Sequence, residues 1–229
     1  MKFKIALVED EKNLRENYKK VLEKNNYKVS EYSNADEAIE AFKNNIPDLA
    51  ILDIMLGSEK YGGFRVCKEL RKLSLKAPII FLTALSEEYD RISALKLGAW
   101  DYLTKDISLL LFITKINSIF NIIIHHKNTK DNITKNKDVE LNKNSWKIIW
   151  KGKEINLTMT EFLIIEVLVE NEGRTISQDA LMAVTRQKVV TENTIVTHIR
   201  HIRTKFKKVD AKFNCIITTH GRGYSWEYH

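Results

Sequence analysis

Two cysteines, two prolines and eight glycines are few for a chain of 229 residues, and each scarcity rules something out. Cys67 and Cys215 lie far apart and neither sits in a C-x-x-C pair, which argues against a disulfide framework or a thiolate zinc site. A reducing cytoplasm fits that usage. So little Gly and Pro, beside 44% hydrophobic and 29% charged residues, excludes fibrous and low-complexity chains and marks one that mostly folds. The opening MKFKIALVEDE turns acidic after a short apolar run and lacks a small-residue cleavage site, so it reads as a first strand, not a secretory signal. A long unbroken apolar run is also missing. Ile107 to Ile124 comes closest, but Lys115, Asn117 and Asn121 interrupt it where lipid would lie. It reads as a helix burying one face against protein, and no membrane partner is expected.

What is present suggests two domains, because this length allows two cores of ordinary size. Charge is uneven. Residues 1–124 carry 19 Lys/Arg against 18 Asp/Glu, which leaves 18 against 12 for residues 125–229. A basic excess confined to the second part is expected of a part that meets polyanionic DNA. In the first part, FKIALV, YKVSEY, LAILDI, APIIFLT and WDYLT are strand-like and alternate with stretches of helical spacing. Five βα units predict a doubly wound parallel sheet with its functional site at the carboxyl ends of the strands. HHKNTKDNITKNKD, from His125 to Asp138, has almost no apolar residue and no periodicity, and reads as a linker. The expected divisions are a first domain over 1–124, a linker over 125–137 and a second domain over 138–229.

The second part begins with a strand region, Trp146 to Trp150 and Glu154 to Leu157, then a helix opened by a possible capping box, Thr158-Met-Thr-Glu161. A short helix near Ser177 to Val184, a long one from about Thr191 to Lys208, and two strands joined around Gly221-Arg-Gly223 complete it. That order predicts a winged helix-turn-helix. Within the long helix, Ile195, Ile199, Ile202 and Phe206 form one apolar stripe facing the core. The opposite face then carries Asn193, Thr194, Thr197, Arg200, His201 and Thr204, with Arg203 and Lys205 on its flanks. Amide, hydroxyl, imidazole and guanidinium groups suit base edges and phosphates of a major groove, and flanking cations suit phosphates. His198 and His201 are spaced for a zinc pair, but have no carboxylate or thiol partner nearby in sequence.

In the first part, Glu9 and Asp10 stand where the first strand runs out, and Asp53 where the third ends. Three carboxylates converging on one cleft repel one another unless a hard cation sits among them, and oxygen-only ligation suits Mg²⁺. Asp53 is then a candidate nucleophile toward a phosphoryl group. Thr83 closes the fourth strand and Lys105 follows the fifth, bringing a hydroxyl and an ammonium to the same edge.

ValGluAspGlu at 8–11, LeuAspIleMetLeu at 52–56, LeuThrAla at 82–84 and TyrLeuThrLys at 102–105 together resemble a receiver domain. LeuThrMetThrGluPhe at 157–162, the segment 197–206 and ThrThrHisGlyArgGlyTyr at 218–224 extend the likeness, so the whole chain resembles the OmpR/PhoB family of response regulators. The resemblance implies that Asp53 accepts the phosphoryl group and that Glu9, Asp10, Asp53 and the Met55 carbonyl hold Mg²⁺. It further implies that Thr83 and Lys105 contact phosphoryl oxygens and that Tyr102 turns inward on activation. His220 and Arg222 become contacts of the wing with the minor groove. Promoter DNA, a histidine kinase, RNA polymerase and a second copy of the chain are the partners it implies, the dimer forming through the fourth helix, fifth strand and fifth helix.

The chain also departs from the family. The loop after Asp53, LeuGlySerGluLysTyrGlyGly at 56–63, is two residues longer than usual and lacks a proline, and Asp106 replaces the proline that normally follows Lys105. A cis bond before a non-proline residue would cost about 3 kcal/mol. Asp90, Arg91, Asp101 and Lys115 match charged positions of the dimer face, whereas Trp100 and the apolar run 108–124 do not, which predicts a more hydrophobic dimer. Three other functions compete with this one. An aspartyl-phosphate hydrolase would place a second Asp two residues after the nucleophile, where Met55 stands, so no enzyme is expected. A protein-binding winged domain fits poorly with a Glu-poor face and with 7 Lys/Arg against 3 Asp/Glu over 191–229. An orphan regulator that dimerises and acts without phosphorylation is the alternative the altered loop keeps open.

Overall fold

The structure is a computed structural model that describes residues 2–85, 87–128, 133–184 and 193–228. The chain divides into two compact units, Met1–Phe120 and Asn121–His229.

In the first unit, β1 (Lys4–Val8), β2 (Lys28–Tyr32), β3 (Leu49–Leu52), β4 (Ile79–Thr83) and β5 (Asp101–Thr104) form a parallel sheet in the order β2-β1-β3-β4-β5. Helices α1 (Lys12–Lys24), α2 (Ala35–Asn44), α3 (Gly62–Leu73), α4 (Glu88–Lys96) and α5 (Leu109–Asn128) alternate with the strands. Every residue of β3 and β4 is buried, as befits strands covered on both faces. Strand order reverses beside β1, so the crevice between the carboxyl ends of β1 and β3 is the topological switch point. Its register pairs Val8 with Leu52, which brings the next residues, Glu9 and Asp53, level with each other. Asp53 N–H donates to the Val8 carbonyl at 2.9 Å and continues the ladder into the site.

Helix α5 is long and apolar enough to cross a membrane by composition alone, yet it is a core helix. Phe112 and Ile116 are fully buried, Phe112 packs on Tyr18, and Phe120 stacks on Phe3 at 4.1 Å. The linker expected over 125–137 is corrected by the structure: α5 continues through His125 and His126 to Asn128, and a strand begins at Ile133. His126 is buried, stacks on Trp146 at 4.1 Å and places Nε2 3.4 Å from Glu166, so two residues that look like linker in sequence are held by aromatic and polar contacts. Residues 129–132 lie outside the described residues.

The second unit opens with an antiparallel sheet of β6 (Ile133–Asn136), β7 (Val139–Asn142), β8 (Lys147–Trp150) and β9 (Lys153–Ile155). Sequence patterning missed β6 and β7, because β6 is polar and half-exposed and only Val139 and Leu141 of β7 face the core. Next come α6 (Met159–Glu170), α7 (Gln178–Val184), α8 (Asn193–Val209) and the hairpin β10 (Ile216–Thr219) and β11 (Gly223–Trp226). The capping box at α6 is real: Glu161 accepts from Thr158 N–H at 2.7 Å and Thr158 Oγ1 from Glu161 N–H at 3.4 Å. Ile195, Ile199, Ile202 and Phe206 are buried as their spacing predicts, and Phe206 joins Trp150, Phe213 and Trp226 in an aromatic core. Ile176 pairs with Tyr224 as a third rung beside the hairpin. Gly223, at φ 139°, sits where a Cβ would meet the Ile176 carbonyl at 2.0 Å.

His198 is fully buried beside Glu161, His201 and Lys205, and its Nε2 has no hydrogen-bond partner among the described residues. Burial holds its pKa down at about 4 instead of 6.5, and burial does the same to His126. A depressed histidine stabilises the fold fully above pH 6.5 and withdraws that contribution as pH falls toward 4. Each histidine should therefore cost about 2 kcal/mol of stability between pH 7 and pH 5. For the second unit, which holds both histidines, urea unfolding followed by the fluorescence of Trp146, Trp150 and Trp226 at both pH values should show this loss, reduced by about half in His198→Leu. An unchanged pH slope in the variant would contradict the assignment.

Candidate functional site

The carboxyl ends of β1, β3 and β5 bring Glu9, Asp53 and Lys105 together. Lys105 Nζ donates to Asp53 Oδ2 at 2.6 Å and to Glu9 Oε1 at 2.8 Å. One carboxylate oxygen from each of Glu9, Asp10 and Asp53 falls within a cluster no more than 4.8 Å across, with Glu9 and Asp53 buried and Asp10 exposed. Burial destabilises the Glu9 charge and nearby Asp53 adds to this, so its pKa is pushed up to about 7 against the opposing pull of Lys105. Burial disfavours the Lys105 charge too, but its hydrogen bonds to both carboxylates outweigh that and hold its pKa above the ordinary value. Three acidic side chains with a single ammonium form an electron-rich pocket of hard oxygen donors, and that donor set fits a small dication such as Mg²⁺.

The second oxygen of Asp53, Oδ1, accepts from Met55 N–H at 3.3 Å. Thr83 is fully buried at the end of β4, and its Oγ1 accepts from Leu85 N–H at 3.3 Å. No cis peptide bond occurs among the described residues, so Lys105 precedes Asp106 in trans and still reaches Asp53. Asp106 instead turns back to the Thr104 hydroxyl. The longer loop after Asp53 closes on itself. Leu56 and Glu59 exchange both backbone hydrogen bonds at 3.1 Å around Gly57 and Ser58, and Gly57 takes φ 61°. Arg65 then grips Glu59 through Nε and Nη2, each at 2.8 Å, and reaches Asp36 at 2.8 Å. This bidentate clamp ties the loop to α3, and the reach to Asp36 ties α3 to α2.

Two site residues escaped the sequence reading. Gly63 lies so close to the strand end that carries Asp53 that a Cβ there would stand 1.9 Å from the Asp53 carbonyl oxygen. The Gly62-Gly63 pair was its only signal. Arg65 had none, since its partners are fixed by tertiary placement.

Tyr102 is buried, its hydroxyl donates to the Leu85 carbonyl at 2.8 Å, and the Arg91 guanidinium lies 5.6 Å over its ring. Of the charged positions expected on the pairing face, Asp101 is buried and bound to half-buried Lys115, and Asp90 is buried as well. Trp100 is also buried, so it adds nothing to that surface. From Phe112 onward most apolar residues of α5 are buried, leaving Leu109, Leu110 and Leu111 outside, with Leu110 80% exposed.

On α8 the most exposed line runs through Val196, Arg200, Thr204 and Lys207, with Thr197 and His201 half-buried beside it. Lys207 is a cation that sequence reasoning passed over, although it follows Arg200 by seven residues on the same face. Arg203 and Lys205, expected as flanking phosphate contacts, are engaged within the unit instead. Arg203 donates to the Ile216 carbonyl at 2.7 Å and to Thr218 Oγ1 at 2.8 Å, and Lys205 pairs with buried Glu161 at 2.6 Å. Burial lowers the Arg203 pKa from its ordinary value. The side chains of Asn193 and Thr194, at the start of the helix, lie outside the described residues. His220 and Arg222 are exposed at the hairpin tip around Gly221, which adopts φ 69°.

Comparison with known proteins agrees with both halves. Residues 5–117 match the response regulator receiver domain, and residues 152–226 match the C-terminal domain of transcriptional regulatory proteins. Regulatory protein VanR of Enterococcus faecium is 33% identical over 233 residues, covering 99% of this chain and all of its own. The alkaline phosphatase synthesis transcriptional regulatory protein PhoP of Bacillus subtilis is 32% identical over 236 residues, covering 99% of this chain and 98% of its own. Among solved structures, a RitR mutant superposes with a TM-score of 0.75 at 20% identity over 98% of both chains, a likeness of fold. Receiver and winged-helix matches in this order, with relatives aligned end to end, mean that the chain belongs to the OmpR/PhoB family of response regulators.

Proposed function

We propose that this response regulator is a cytoplasmic transcription factor that accepts a phosphoryl group on Asp53 and binds promoter DNA through α8 and the β10–β11 hairpin. The observation that carries the first half is the Lys105 ammonium on Asp53 Oδ2 at 2.6 Å inside the Glu9, Asp10 and Asp53 cluster. Asp53 Oδ attacks phosphorus, the donor's leaving group departs with its electron pair, and an acyl phosphate remains. Lys105 and the Thr83 hydroxyl bind phosphoryl oxygens, for which Lys105 must exchange part of its hold on the acids. Glu9, Asp10, Asp53 and the Met55 carbonyl would hold Mg²⁺, and the chemistry it supplies when bound is neutralisation of phosphoryl charge. A histidine kinase is the donor this reading calls for. Incubation with a small-molecule phosphodonor and Mg²⁺ should add one phosphoryl group to the intact mass of wild type and none to Asp53→Ala. Equal gain by both proteins would move the acceptor elsewhere.

A second reading, control without phosphorylation, is favoured by Tyr102 already buried on the Leu85 carbonyl and by the exposed leucines of α5. In that reading the chain pairs through α4, β5 and the start of α5 largely by apolar contact. Light scattering of unphosphorylated protein at micromolar concentration should then give a dimer, and Leu110→Glu a monomer. A monomeric wild type would remove this reading.

For DNA, α8 offers Asn193, Thr194, Thr197, Arg200, His201 and Thr204 to the major groove, and the hairpin offers His220 and Arg222 to the minor groove. RNA polymerase is the further partner such a promoter-bound dimer would meet. Lys207→Ala should weaken binding to every sequence and lower the salt slope by about one, whereas Arg200→Ala should change sequence preference. Arg203→Ala should lower the unit's stability because it unties α8 from the hairpin. Equal loss on all sequences from both Arg200→Ala and Lys207→Ala would contradict the division of roles.

A further inference from the structure

Between α3 and α4 lies a cavity of about 620 Å³ that the phosphoacceptor chemistry does not use. Its size falls within the roughly 300–1,000 Å³ of small-ligand sites. Both helices present it with the same i, i+4, i+7, i+8 spacing: 61, 65, 68 and 69 from the start of α3, and 89, 93, 96 and 97 along α4. The floor is apolar, formed by Phe64 and Leu97, which pack against the core. Two tyrosines form the walls. Tyr61 is 40% exposed and stacks on Phe64 at 5.6 Å, and Tyr89 is 71% exposed.

The charges around this cavity are not all spent. Arg65 is held by Glu59 and Asp36, and Glu69, the one carboxylate on the rim among the described residues, is held by Lys72 at 2.6 Å. Lys68 and Lys96, one from each helix, form no ion pair among the described residues. An apolar floor, aromatic walls and two uncompensated ammonium groups complement a flat ring that carries negative charge. We infer that the α3–α4 cavity is a binding site for a small planar aromatic anion, its ring between Tyr61 and Tyr89 and its anionic group on Lys68 and Lys96.

Such a ligand would bear on both sides of the switch. Tyr61 ends the turn that follows Asp53, and α4 follows the β4 end that carries Thr83 and supplies Arg91 to the face of Tyr102. The site itself rests on nothing assumed about phosphorylation.

Titration of the full-length protein with anilinonaphthalene sulfonate, a fluorescent aromatic sulfonate, tests it. One probe should bind per chain in a saturable manner, and the double variant Lys68→Gln, Lys96→Gln should weaken binding about tenfold, as loss of two partly exposed ion pairs implies. Tyr89→Ala, a change at an exposed position that leaves the core intact, should weaken it by a similar factor. Ile46→Glu, which changes an exposed apolar side chain outside this cavity's lining, should leave affinity unchanged. Binding that survives the lysine and tyrosine changes would overturn the assignment. Inorganic sulfate at the probe's concentration should not displace it; displacement would mean a bare anion site and would equally overturn the aromatic class.

Discussion

A single ammonium between two buried carboxylates is the contact around which the first unit is arranged. Lys105 touches Asp53 and Glu9 at once, and those residues come from β5, β3 and β1. Burying two like charges side by side is costly unless a cation offsets them, and removing one partner of such a cluster leaves an unpaired charge in a poor solvent. The parallel register that levels Val8 with Leu52 makes the cluster unavoidable once the sheet forms. Strand pairing driven by apolar burial thus enforces an electrostatic arrangement that would not form alone. The site is poised because its charge balance remains negative, and further positive charge or a change of protonation is favoured there.

Around that centre, the chain replaces two family prolines with polar contacts. The turn after Asp53 is braced by the Glu59–Arg65–Asp36 bridge in place of a rigid ring, and Lys105 keeps its aim through its two carboxylate partners. The Glu59–Arg65–Asp36 bridge is exposed and depends on charge, so it is more open to ionic strength than a proline would be. Gly63 remains indispensable, because α3 begins in direct contact with the Asp53 backbone. The second unit shows the same economy in reverse. Arg203 and Lys205, cations that look free on a helical wheel, tie α8 to the hairpin and to the α6 cap, while Arg200, Lys207 and Arg222 stay exposed.

Much of this was legible beforehand. Alternating strand and helix periods announced the doubly wound sheet, the stripe Ile195, Ile199, Ile202, Phe206 located the core face of α8, and the Thr158–Glu161 spacing marked the start of α6. Strand-end positions were enough to nominate Glu9, Asp10, Asp53, Thr83 and Lys105. The linker was misjudged because composition reports whether a segment can bury itself, not whether a neighbour offers a surface: His126 is ordered by Trp146 and Glu166, both distant in sequence. Polar β6 was missed for the same reason, its pairing being supplied by β7.

By itself, then, the sequence determined the order of elements in the first unit and from β8 onward in the second, the apolar faces and the identities of the acidic and basic groups at strand and helix ends. Those follow from periods of two and three-and-a-half or so residues and from local capping chemistry, which short-range pattern encodes. Only the tertiary structure decided which cations form no ion pair or side-chain hydrogen bond among the described residues. Lys68, Lys96, Arg200 and Lys207 differ from Arg65, Arg203 and Lys205 in nothing a single sequence displays. They differ in whether a carboxylate or carbonyl from another element arrives within hydrogen-bond distance, and that is settled by packing.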